Sequence, residues 1–60
     1  MKYKEFHRLI ARNGWVELRQ EGSHKIYTKA GSPNVSVPYH GAKEIPEPLR
    51  RKIMRDMGLK

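Results

Sequence analysis

What most narrows the fold of this chain is a change of period, from helical to alternating, cut by two clusters of turn residues. Residues 3–12 place Tyr3, Phe6, Leu9 and Ile10 at helical spacing, with Lys4, Glu5, Arg8 and Arg12 turned away. His7 falls on the polar side of that pattern and is given no role. Asn13-Gly14 closes the helix, because glycine accepts the left-handed backbone that helix C-termini adopt. Val16 and Leu18 then alternate with Glu17 and Arg19 over residues 15–20, the period of a half-buried strand. Glu21-Gly22-Ser23 is a tight turn, and residues 24–29 form a second strand. A second turn over residues 30–34 (Ala-Gly-Ser-Pro-Asn) leads to a third strand, with Val35 and Val37 alternating and Pro38 as its stop.

Beyond that meander, residues 39–45 read as a loop, and Pro46 and Pro48 suit the first turn of a helix, where a missing N–H costs nothing. Leu49, Ile53 and Met57 follow at spacing four, with Met54 alongside and Arg50, Arg51, Lys52 and Arg55 on the polar side. Gly58 ends the helix. The order is helix, three strands, helix: a single α+β domain over residues 1–60, with two helices laid on one face of a three-stranded antiparallel sheet. The expected core is Phe6, Leu9, Ile10, Val16, Leu18, Val35, Val37, Leu49 and Ile53. Strict alternation groups His24 with Ile26 and Thr28, yet Tyr27 on the other face is also large and partly apolar. The sequence therefore leaves open which face His24 occupies.

A chain of 60 residues buries only about 60% of the surface its unfolded form exposes, so stability is expected to be marginal. It contains no cysteine, which excludes a disulfide staple and a thiolate zinc site. His7, His24 and His40 have no paired metal-ligand spacing, no acidic cluster reads as a magnesium site, and no cofactor is expected. Thirteen Lys and Arg against six Asp and Glu give a net charge of +7, a balance that favours polyanionic partners. No apolar run approaches the ~20 residues that span a bilayer, and the N-terminus lacks the apolar core of a signal peptide. No membrane partner is expected, and a cytoplasmic location is.

Within this basic chain, Gly22-Ser23-His24 delivers an imidazole to the mouth of a strand with Lys25 beside it. Histidine alone exchanges a proton near neutrality with an unperturbed side chain. The combination points to a small nuclease or an RNA-binding module; the plainer reading is a surface histidine next to a turn. RNA carries its own nucleophile, the 2′-hydroxyl, so cleavage needs a proton acceptor and positive charge at the phosphorane. His24 fits the first need, as base or as acid toward the leaving oxygen. Lys25, Arg19 or Arg50 fit the second, and Ser23 or the backbone around Gly22 can orient a phosphate oxygen. His40 is the candidate second acid/base, against a plainer role as a polar loop residue. Tyr27 and Tyr39 are candidates for base stacking or for the core.

The chain resembles the HicA toxins of toxin–antitoxin systems through most of its length. The resemblance rests on Asn13-Gly14-Trp15, Arg19-Gln20-x-Gly22-Ser23-His24, Val35-x-Val37-Pro38-x-His40, Lys43-Glu44-Ile45 and the C-terminal Leu49-Arg50, Ile53 and Gly58-Leu59. It implies a fold like the double-stranded-RNA-binding domain, endoribonuclease activity on mRNA, and neutralisation by a HicB antitoxin. His24 matches the family's catalytic histidine. An acidic antitoxin covering His24, with apolar contacts near Trp15 or Tyr27, is the expected restraint. The competing classes are a non-catalytic RNA-binding module of the same fold and an adaptor whose basic surface docks an acidic protein.

Overall fold

The apolar stripe of the first segment folds as helix α1, Tyr3–Arg12, in the computed structural model of the 60-residue chain. Tyr3, Phe6 and Ile10 bury their side chains, and the helix starts with Glu5 accepting the Lys2 backbone N–H at 2.8 Å. Its C-terminal turn is tied down by Asn13, whose amide donates to the Leu9 carbonyl at 2.8 Å and whose Oδ1 accepts the Lys60 N–H at 3.0 Å. Strands β1 (Val16–Glu21), β2 (His24–Lys29) and β3 (Ser32–Pro38) form an antiparallel sheet in that order, with β2 in the middle. Helix α2, Glu47–Met57, begins after Pro46 and ends at Gly58, which takes the left-handed conformation at φ 63°.

The strands follow the alternating segments, with boundaries moved in β1 and β3: Glu21 belongs to β1 instead of the turn, pairing with His24, and Trp15 falls just before the strand. Ser32, Pro33 and Asn34 belong to β3 instead of the turn, because Lys29 pairs with Ser32 and leaves only Ala30-Gly31 to turn the chain. The register slips between Tyr27 and Lys29, and Pro33 falls opposite that irregular stretch of an edge strand, where a missing N–H is tolerated.

The core gathers Tyr3, Phe6 and Ile10 of α1, Tyr27 and Val37 of the sheet, and Ile53 and Met57 of α2, with Trp15, Ile45 and Leu59. Leu9, Val35 and Leu49 pack against it half-buried. Val16 and Leu18, expected inside, are 62% and 51% exposed. The cause is which face is covered: Glu17 pairs with the inward-facing Tyr27, so Val16, paired with Thr28, faces away from the helices, and Leu18 falls unpartnered at a bulge on an edge strand that is exposed throughout. Trp15, just before β1, takes the interior place and donates its indole N–H to the Met57 carbonyl at 3.2 Å.

The loop between β3 and α2 wraps the start of α1. Tyr3 N–H donates to the Lys43 carbonyl at 2.9 Å, Lys4 N–H to Gly41 at 3.0 Å, and Ile45 N–H to Met1 at 3.0 Å. At the other end of α1, the Lys29 ammonium donates to the Asn13 carbonyl at 2.8 Å. Helix α1 therefore runs from the β3 exit, where β2 begins, toward the end of the sheet where β2 finishes. No helix is long and apolar enough to cross a membrane.

Candidate active site

His24 is the first residue of β2, and its side chain is exposed. Gly22-Ser23 makes the whole turn from β1, with Gly22 at φ 59°. A Cβ there would meet nothing within 4 Å, so the positive φ alone calls for glycine. Glu21 stands directly across the hairpin from His24, and Arg19 pairs with Ile26. Antiparallel partners share a face and successive residues alternate, so His24, Ile26, Glu21 and Arg19 lie together on one face. Tyr27 points the other way, into the core under the helices. This settles the question that alternation left open: His24 is on the uncovered face.

On that face Arg19 is ion-paired to Glu21 through its Nε. The turn is anchored from β3's exit, where the Tyr39 N–H donates to the Ser23 carbonyl at 2.6 Å, next to the Pro38–His24 pair of the ladder. The arrangement presents an imidazole with free access from solvent, a guanidinium and a carboxylate on the same face, and turn backbone held in place from below. An imidazole so placed can accept or donate a proton, and the guanidinium can meet a phosphate.

The other residues singled out in the sequence are dispersed. Lys25 lies on the helix side of the sheet, its ammonium 3.1 Å from Glu17 Oε1 and 4.4 Å from the centroid of the Tyr39 ring. Arg50 belongs to α2, where it binds Glu47 at 3.0 Å. His40 is exposed and packs edge-on against the Tyr3 ring at 4.9 Å, and no hydrogen bond joins it to His24. Tyr27 is buried with its hydroxyl engaged, which removes it as a base-stacking platform; Tyr39 is half-buried. Trp15 and Tyr27 are both interior and offer no surface for a partner. No group of three or more His, Cys, Asp or Glu side chains comes together that could hold a metal.

The residue that sequence reasoning passed over is His7. It is only 6% exposed, on the inner face of α1 one turn after Tyr3. Its Nε2 lies 2.8 Å from the Pro38 carbonyl and its Nδ1 2.6 Å from the Tyr27 hydroxyl. A carbonyl only accepts, so Nε2 carries the proton, Nδ1 of the neutral ring accepts, and Tyr27 donates. Burial pushes the His7 pKa down, helped by the Lys25 charge and opposed by the Pro38 hydrogen bond and Glu17. Burial, with Glu17 and Tyr39, pushes the Tyr27 hydroxyl up to about 12. The only available signal was positional: His7 is four residues after Tyr3 and three before Ile10, which puts it on the buried stripe.

A small basic α+β domain, with an exposed histidine and an arginine on the bare face of a three-stranded sheet, has the charge and the open surface that suit a polyanionic partner. The comparison with known families makes this specific. Residues 3–59 match the family of HicA toxins of bacterial toxin–antitoxin systems, and the chain belongs to that family. It is 42% identical over 60 residues to a probable mRNA interferase HicA of Pseudomonas fluorescens (strain Pf0-1), covering all of this chain and 98% of the relative. It is 35% identical over 60 residues to the probable mRNA interferase HicA 2 of Photorhabdus laumondii, covering the full length of both.

Proposed function

We propose that this protein is the toxin of a type II toxin–antitoxin system: an endoribonuclease that cleaves mRNA in the cytoplasm without a metal and is neutralised by a HicB-like antitoxin. The observation that carries the reading is the position of His24, exposed at the start of β2 on the uncovered face with Arg19 on the same side. In this mechanism His24 removes the proton from a ribose 2′-hydroxyl, and the resulting oxygen attacks the adjacent phosphorus. A new O2′–P bond forms as the P–O5′ bond breaks, and the leaving 5′-oxygen is protonated by a second group or by water. Arg19 and the turn N–H groups around Gly22 and Ser23 offset the charge on the phosphorane. His40 is available as the second acid only if RNA binding brings the reacting phosphate to its side of the β3 exit.

The test is direct. Purified protein is incubated with an end-labelled RNA beside His24→Ala, and new ends are counted. Cleavage by the parent and loss in the variant is the expected result. RNA that is retained but never cut by the parent makes the protein a binding module instead.

A further inference from the structure

The distribution of ion pairs separates the basic residues into two groups. On α2, Arg50 and Arg51 share Glu47 at 3.0 and 3.4 Å, and Lys52 binds Asp56 at 3.1 Å, leaving Arg55 alone without an acidic partner. On the sheet, Arg19 is bound to Glu21 and Lys25 to Glu17. On α1, by contrast, Lys4, Arg8 and Arg12 are exposed and make no ion pair or side-chain hydrogen bond. The one acid of that helix, Glu5, is turned to the Lys2 N–H at its start. The two helices carry the same net charge, but on α1 all three cations stand without an acidic partner.

Spacing turns those cations into a row. Residues four apart on a helix stand above one another, with about 6 Å of rise between them, so Lys4, Arg8 and Arg12 form a single line along α1. That separation is close to the distance between successive phosphates of an extended strand. The line begins at the His24 end of the sheet, because Lys4 N–H donates to Gly41 just past the β3 exit. A groove of about 360 Å³ runs between α1 and the sheet, lined by Lys4, Arg8 and Ala11 of the helix and by Tyr39 and the Lys25–Glu17 pair across from it. Lys25 follows His24 directly in β2, so the groove starts around the sheet end from the candidate catalytic imidazole. Lys43, exposed beside the first turn of α1, adds charge at the same place.

We infer that Lys4, Arg8 and Arg12 form the phosphate track of this protein, on which a single RNA strand lies along α1 as it runs from the groove beside Lys25 toward Arg12. The track deepens the endoribonuclease reading and rests on it for the identity of the polyanion. It assigns affinity to α1 and leaves α2, whose basic side chains other than Arg55 are ion-paired to Glu47 or Asp56, outside the RNA path. Each phosphate contact to a single strand contributes about 0.7 to the slope of log K against log salt.

The experiment measures binding apart from cleavage. In a His24→Ala background, a fluorescent single-stranded RNA oligonucleotide is titrated across a range of salt concentrations. Lys4→Gln/Arg8→Gln/Arg12→Gln is compared with Arg51→Gln/Lys52→Gln/Arg55→Gln, which removes the same charge from α2. The α1 variant is expected to raise Kd about tenfold to a hundredfold and flatten the salt slope by about 2, with the α2 variant within about threefold of the parent. All of these side chains are exposed, and thermal melts verify that both variants fold. Equal Kd and slope for the α1 variant and the parent overturn the track, as does a loss carried by the α2 variant, including the case in which α1 is needed only for an acidic protein partner. In the His24-intact protein the α1 variant raises KM and keeps the single-turnover rate at saturating RNA. Cleavage at the parental rate by His24→Ala overturns the catalytic assignment and leaves the track standing on its Kd.

Discussion

Tyr27→Phe removes one oxygen atom from the interior and tests whether the His7 network holds the domain together. In the parent, Tyr27 donates to His7 Nδ1 at 2.6 Å and His7 Nε2–H donates to Pro38 at 2.8 Å, so α1 is bonded to both β2 and β3. Phenylalanine leaves Nδ1 as a buried acceptor without a donor, which costs about 1–3 kcal/mol. For a domain of this size about 1 kcal/mol moves the melting temperature by about 4–8 °C, so the expected fall is about 4–24 °C at pH 7.5. His7→Leu breaks both bonds and costs a similar amount. The double variant is expected to cost about 1 kcal/mol less than the sum, because both single changes remove the same contact. The network also has a pH signature. The folded state holds the His7 pKa below its ordinary 6.5, so the unfolded chain binds more protons between those two values. The stability contributed by neutral His7 is therefore full above about pH 6.5 and is lost as pH falls toward the folded pKa. Tyr27, raised from 10.0 to about 12, acts in the opposite sense: its contribution is full below pH 10 and is lost as pH rises toward 12. Melts by circular dichroism between pH 5 and 8 are the assay, with parent, Tyr27→Phe and His7→Leu side by side. The reasoning is refuted if Tyr27→Phe melts within about 2 °C of the parent, or if His7→Leu keeps the parental acid slope.

Four further outcomes follow from the proposed function. His24→Ala and His24→Gln are expected to lose about 10²–10⁴-fold in RNA cleavage with an unchanged melt, since the side chain is exposed; a folded variant that cuts at the parental rate refutes the role. Chelation with EDTA leaves cleavage unchanged, and activity that needs added magnesium or manganese would displace the acid/base mechanism. Co-expression with the antitoxin restores growth, protects the amides of residues 22–27 from exchange, and raises stability by about 2.7 kcal/mol at a hundredfold excess over Kd. Because Val16 and Leu18 are the apolar side chains that β1 leaves exposed, Leu18→Asp is expected to weaken that complex without affecting RNA cleavage; protection confined to the helices would refute occlusion of the site.

The elements of this fold are legible because their signals are local. Helical spacing in residues 3–12, a turn at Gly22-Ser23 (one residue shorter than expected, since Glu21 joins β1), the prolines at the start of α2 and Gly58 after it each follow from a few neighbouring residues. What misleads is the edge strand. Val16 and Leu18 alternate with charged residues as core positions do, but alternation does not say which face is covered: Glu17 pairs with the inward Tyr27, which puts Val16 with Thr28 on the other face, and Leu18 is left unpartnered at the bulge. His7 fails for the opposite reason: a polar residue on a buried stripe becomes interpretable only when Tyr27 and Pro38, twenty and more positions away, arrive as its partners. The face of His24 needed the register for the same reason. Its neighbours Arg19 and Glu21 are brought to it by pairing across the turn.

These long-range contacts converge on the end of the sheet that carries His24. Pro38 pairs with His24 in the ladder, accepts the His7 hydrogen bond from α1, and precedes Tyr39, whose N–H holds the Ser23 carbonyl. The same α1 turn is fastened to the following loop through Lys4 and Gly41. A chain this short has few interactions with which to hold an exposed residue in place, and it concentrates them here, on the packed side beneath the residue and out of the way of a ligand above. The uncovered face can then stay bare. Helix α1 thereby sets the strand end that presents His24 and also carries the row of cations, so in the proposed reading a strand of RNA on that row would pass around the sheet end to meet the imidazole on the opposite face. Displacing α1 would disturb alignment and affinity together, whereas removing its exposed charges disturbs affinity alone.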